Sequence, residues 1–131
     1  MNPIKQRLTD IDAELLTLRD TLDVTATEIT TCGDDLTNVT RIGRHLREMA
    51  TIAHSYDGVE WLAEVLGMAP GLWAEHLDDL RQRTSRAEDA LRDRKKRLKQ
   101  TADEIKTAIN GLDRERNAIT TAERVIAGAE S

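Results

Sequence analysis

The side chains best suited to chemistry in this 131-residue sequence are three histidines, one cysteine and two Asp-Asp pairs. His45, His54 and His76 are scattered, without Cys or carboxylate neighbours at the spacing of a metal site. His76 and Asp79 stand three apart and share a helix face, but two ligands do not complete a tetrahedral zinc shell. Asp34-Asp35 and Asp78-Asp79 carry the groups that acid-base work needs. Adjacent helix residues point about 100° apart, so neither pair converges on one substrate. Cys32 has no second cysteine to join within the chain, although it could link two chains that pair along its face. No Ser-His-Asp order, Gly-rich phosphate loop or HExxH string is present. The expectation is a protein that is not an enzyme and that takes no metal or cofactor.

Two other groups are suited to binding. The run 92–99, Arg-Asp-Arg-Lys-Lys-Arg-Leu-Lys, could touch the phosphates of nucleic acid or of a lipid surface, with Arg92, Lys95, Lys96 and Lys99 as the contacts. A helix spreads these cations around most of its circumference, and the aromatic interleaving that single-strand binding uses is missing. The second group is apolar: Trp61, Leu62, Val65, Leu66, Met68, Leu72 and Trp73 make the one place where aromatic and large aliphatic residues gather. Tryptophan is enriched at the energetic centres of protein interfaces. This cluster is the leading candidate for binding another protein, and plugging the open end of a helix pair is its structural alternative.

The elements that must position these groups are helices. Ile4, Leu8, Ile11, Leu15, Leu18 and Leu22 alternate in steps of four and three, and the rows continue through Thr25, Ile29, Cys32, Leu36, Val39, Gly43, Leu46 and Ala50. That is a heptad pattern, one row strongly apolar and the other degraded at Thr25 and Gly43. A second row, Leu77, Thr84, Leu91, Leu98, Ile105, Leu112, Ile119 and Ile126, keeps a spacing of seven throughout. Its companion row is mostly small or polar and includes Arg94 and Glu115, which leave that seam partly wet. Gly33 and Gly111 look like helix stops, yet the register passes both without a slip. Glycine inside a helix costs only about 1 kcal/mol, so the spacing predicts two uninterrupted helices. A break at Gly33, which would turn the same seam residues into a shorter multi-helix bundle, is the alternative.

These rows predict an all-α fold: a long antiparallel helical hairpin, coiled-coil-like, with arms at about 3–54 and 71–128 and a tip at 55–70 that holds a short helix ended by Gly67. The whole chain, 1–131, is then a single elongated helical domain. Folding 54 against 71 opposes positions whose numbers add to about 125. Glu28, Asp34 and Asp35 then fall opposite Arg92, Lys95, Lys96 and Arg97, and Asp10 and Asp12 fall near Arg114 and Arg116. Arg41, Arg44, His45 and Arg47 face Asp78 and Asp79.

Composition agrees with this outline. Aromatics are only 2% of the chain, enough for a narrow Leu/Ile/Ala seam but not for the thick core of a globule. A net charge of −5 argues against a dedicated duplex-binding protein. The start, Met-Asn-Pro-Ile-Lys, lacks the apolar stretch of a signal peptide, and no segment approaches the roughly 20 apolar residues of a membrane span. A soluble cytoplasmic protein with no membrane partner is expected. A lone two-helix hairpin buries only one face of each arm, so pairing of two hairpins into a four-helix bundle is expected as well, through the apolar face that broadens at Ala102, Ile109, Ala118 and Val125. The function expected is that of a non-enzymatic adaptor, scaffold or inhibitor that binds another protein through its tip. A small nucleic-acid-associated regulator using 92–99 is the alternative.

Overall fold

A computed structural model describes residues 2–54, 64, 65, 67 and 70–130. Two helices hold nearly all of them: α1 is Pro3–His54 and α2 is Pro70–Glu130. Among the described residues there is no strand, so the fold is all-α. The helix limits agree with the expected arms to within a turn.

The start of α1 follows from its first residues. The Asn2 side chain accepts a hydrogen bond from the Ile4 N–H at 2.9 Å, and the Asn2 carbonyl accepts one from the Gln6 N–H at 3.0 Å. Pro3 fills the first helical position, where its missing N–H costs nothing. Beyond that cap, α1 is rich in threonine, a weak helix former. Its hydroxyls turn back onto the carbonyl four residues earlier, as in Thr17 to Ala13 at 3.2 Å and Thr21 to Thr17 at 2.9 Å. Both glycines in question lie inside helices: α1 runs through Gly33 and α2 through Gly111. The break at Gly33 does not occur.

The chain divides into two compact units. The first combines Met1–Ile29 with Arg97–Ser131. Within it, Ile11, Leu15, Ala102 and Ile105 are buried, with Thr25 the one buried polar residue. The Thr25 hydroxyl donates to the Thr21 carbonyl at 2.8 Å, so the degraded seam position leaves no polar group unsatisfied. Three ion pairs cross between the helices here. Arg7 donates two hydrogen bonds to Glu115, at 2.7 and 2.8 Å. Arg116 reaches Asp12 at 2.7 Å and Arg19 reaches Asp113 at 3.6 Å. Rising numbers in α1 meet roughly falling numbers in α2, near the expected register, and the helices pack antiparallel as a hairpin requires.

The second unit is Thr30–Lys96, whose buried apolar residues, among those described, are Cys32, Leu46, Ala50 and Leu77. Here the seam is set by small residues. A Cβ placed on Gly33 would lie 3.4 Å from the Lys95 Nζ, and one on Gly43 would lie 3.2 Å from Glu88 Oε1 and 3.4 Å from Thr84 Cγ2. Each glycine is therefore a notch over which a charged side chain of α2 passes. Lys95 and Glu88 stand seven residues apart, on one face of α2, as a seam requires. Among the described residues, the ion pairs of this unit stay within single helices: Arg81–Asp78, Arg83–Asp79, Arg92 with Glu88 and Asp89, and His45–Glu48.

Several expectations about charge therefore need correction. Among the described residues, Glu28, Asp34 and Asp35 form no ion pair with the basic run, nor do Arg41, Arg44, His45 and Arg47 with Asp78 and Asp79. Arg92 is taken instead by Glu88 and Asp89, and Asp78 and Asp79 by Arg81 and Arg83, at three or four residues on their own helix. The expected pairing near Arg116 does form, with Asp12.

Candidate partner-binding surface

The tip cluster is described in part. Val65, helical together with Glu64, is 62% exposed, and Leu72, in the first turn of α2, is 57% exposed. Gly67 follows at a φ of +67°, the left-handed region that glycine enters without strain, and it lies where the sequence placed a helix stop. Trp61, Leu62, Leu66 and Met68 lie outside the described residues, and so does the Trp73 side chain, whose backbone belongs to α2.

The second unit also leaves Ile42, Met49 and Ile52 exposed, at 52%, 37% and 50%. They recur at steps of seven and three on one side of α1, about 110° around the helix from the seam residues Gly43, Leu46 and Ala50. This flanking stripe is absent from the sequence-derived candidates. Its period was available in the sequence, but the longer seam rows masked it. The three side chains form an exposed apolar row beside the seam.

Polar features of the same unit are less suited to a ligand. A groove of about 450 Å³ is lined by Gly43, Arg47, Asp78, Arg81, Thr84 and Glu88 among others. It holds two guanidinium groups and two carboxylates. Small-molecule sites are mostly apolar with a few converging polar groups, and this groove has the opposite balance.

The cations of the 92–99 run are unevenly engaged. Arg92 is drawn to Glu88 at 3.5 Å and Asp89 at 4.0 Å on its own helix. Lys95 is half-buried over Gly33, whereas Lys96 and Lys99 are exposed. The cysteine is equally committed: Cys32 is buried and its thiol donates to the Leu91 carbonyl at 3.2 Å. A link from Cys32 to a second chain would have to open this seam.

Among the described residues, no three His, Cys, Asp or Glu side chains come together to hold a metal ion. Asp78 and Asp79 point to different arginines, Arg81 and Arg83. Arg7 and Glu115 displace each other's proton affinity. The hydrogen bond from Arg7 holds the Glu115 carboxyl below its usual range, and the same bond raises the arginine. With two hydrogen bonds between them, the groups clamp one helix to the other. No helix among the described residues is long and apolar enough to cross a membrane. Comparison with protein-family models, with curated proteins and with solved structures gives no match.

Proposed function

We propose that this chain is a non-enzymatic interaction protein of the cytoplasm, a coiled-coil-like hairpin that holds another protein at its tip and works as a homodimer. One observation carries the reading. Five large apolar side chains of the second unit, Ile42, Met49, Ile52, Val65 and Leu72, stay between 37% and 62% exposed beside a seam that is already filled. Burying such a side chain fully is worth about 1.5–3 kcal/mol, so leaving five open is a sizeable unused driving force for association. Tip residues Trp61, Leu66 and Trp73 would add the aromatic anchors that interface centres favour.

Capture by the intact protein tests this. A tagged chain and its Trp61→Ala, Val65→Ser and Leu72→Ser variants are compared for the proteins they retain, with circular dichroism as a check on helicity. Loss of a specific captured protein with unchanged helicity is expected. Equal capture by all variants would remove the tip from consideration.

The nucleic-acid reading keeps some support from Lys96 and Lys99, whose ammonium groups are exposed. It is the weaker one, because Arg92 pairs with Glu88 and Asp89 and Lys95 lies half-buried over Gly33. Duplex binding that falls steeply with salt would favour it.

A further inference from the structure

The last turns of α2, in the first unit, carry an apolar face that α1 leaves open. Val125 and Ile126 are 65% and 51% exposed, and Ala118, Ala122 and Ala129 are exposed beside them. Ala118, Ala122, Val125 and Ala129 recur in steps of four, three and four, which sets them within about 60° of one another at 3.6 residues per turn. The same row runs back to Gly111, where a Cβ would meet nothing within 4 Å. Ala102 and Ile109, which the sequence groups with Ala118 and Val125, are buried and half-buried, so they serve the seam with α1. Ile119 and Ile126, the last members of the main seam row, border the open face about 70–90° from its centre. In this chain 33% of residues are charged, yet residues 118–129 hold only Glu123 and Arg124. Both stand about 130° from the centre of the face, on the far side of the helix.

Steps of four and three are what one helix presents to another, so the complement of this face is a helix with the same repeat and no charge along it. The face is its own complement. With two copies set antiparallel so that Ala122 of one faces Val125 of the other, that layer occurs twice. An Ala118–Ala129 layer then closes each end. On one edge Ile119 meets Ile126 of the other copy, also twice, which continues each copy's own seam row across the contact. On the other edge Thr121 meets Gly128, both small and uncharged. A parallel pairing along the same rows would instead bring Glu115, already clamped to Arg7, against Glu115 of the other copy.

We infer that a second copy of this protein covers the face: residues 118–129 of α2 pack antiparallel on residues 118–129 of another copy, around a two-fold axis. This rests on the homodimer of the preceding reading and deepens it, since it names the surface and the register, and it is independent of the tip. One stretch of one helix from each copy makes the whole contact. It spans about 16.5 Å at 1.5 Å per residue. That is small beside the roughly 1,600 Å² of a standard interface, so the dimer is one that builds up with concentration.

Sedimentation equilibrium on the full chain, from tens to hundreds of micromolar, should show monomer and dimer in exchange. Because the contact holds no charge, about 1 M salt should leave it at least as strong as about 0.1 M. The double variant Ala122→Glu, Val125→Glu puts carboxylates into both central layers and should weaken the dimer at least about tenfold. Both positions are exposed in the single copy, so circular dichroism should show unchanged helicity. Arg124→Glu, on the far side, should alter the dissociation constant less than about twofold. Crosslinking reads the register separately. Two variants, each also carrying Cys32→Ser, have Ala118→Cys or Ala129→Cys and are mixed and oxidised. The antiparallel register joins 118 to 129 and yields the mixed dimer, whereas parallel pairing joins like positions. A native protein that stays monomeric throughout overturns this inference and the homodimer together. A dimer indifferent to the double variant, or one crosslinked at like positions, overturns this interface alone and leaves the homodimer standing. Tip variants should leave the dimer unchanged, which keeps failure of the tip reading separate.

Discussion

Gly111 and Gly43 are the same residue type within the same kind of helix, yet alanine should affect them differently. At Gly111 a Cβ would meet nothing within 4 Å, so Gly111→Ala adds only the helix preference of alanine over glycine. That difference is about 0.8–1.0 kcal/mol. At Gly43 the same gain is available, but the new Cβ would stand 3.2 Å from Glu88 Oε1. The Glu88 side chain must turn aside, and its arginine partner, at 3.5 Å, is held too loosely to resist strongly. An off-rotamer displacement costs about 0.5–1.5 kcal/mol, so the two terms nearly cancel and Gly43→Ala should lie within about 0.5 kcal/mol of the original protein. Urea unfolding followed by circular dichroism reads both numbers, with a rise in melting temperature of about 3–5 °C for Gly111→Ala as a second measure. The reasoning fails if Gly111→Ala does not stabilise, since α2 would then not be an open, regular helix at that point. It fails equally if both variants gain alike, since Glu88 would then not be packed over Gly43.

Three further outcomes follow from the same packing. Ile11→Ala and Leu77→Ala each empty a fully buried site, one in each unit, and should each cost about 2–5 kcal/mol, read as a lowered urea midpoint. Glu115 has a folded-state pKa below its unfolded value. The stability it contributes is therefore present above the ordinary carboxylate range and is lost as pH falls through the depressed value. Glu115→Gln should flatten that acid limb of the stability curve, and an unchanged limb would mean that the Arg7 clamp is not formed in solution. The Cys32 thiol should react with a soluble maleimide much more slowly than an exposed cysteine, accelerating in urea, because the seam must open to expose it.

The heptad rows made the two helices and their antiparallel order legible, because burial of a repeating stripe is enforced over fifty residues and small errors average out. Ile11, Leu15, Leu46 and Leu77 all came from those rows. Individual charge pairs were less legible. Asp12 with Arg116 followed from register, but Arg7 with Glu115 did not, because Arg7 lies beside the seam rows and not on them. The expected pairing of Asp34 and Asp35 with the basic run failed for a related reason. Register fixes which turns face each other to within a few residues, whereas an ion pair is decided within an ångström. Exposed faces were the least legible part. Leu16, Val24, Ile42 and Met49 each look like an isolated departure from a polar surface until the seam has been filled by other residues.

The two units secure their helix register by different physics. In the first, charge does it: three cross-helix ion pairs, one of them a two-bonded fork, add a directional constraint to a Leu and Ile seam. Such pairs are exposed enough to weaken with salt and with acid. In the second, shape does it: Lys95 over Gly33 and Glu88 over Gly43 fit notches that a shift of one residue would close with a Cβ. A notch depends little on ionic strength, and it explains why glycine is found in the interior of a helix that would otherwise be stabilised by replacing it. It follows that high salt should raise hydrogen exchange in the first unit more than in the second.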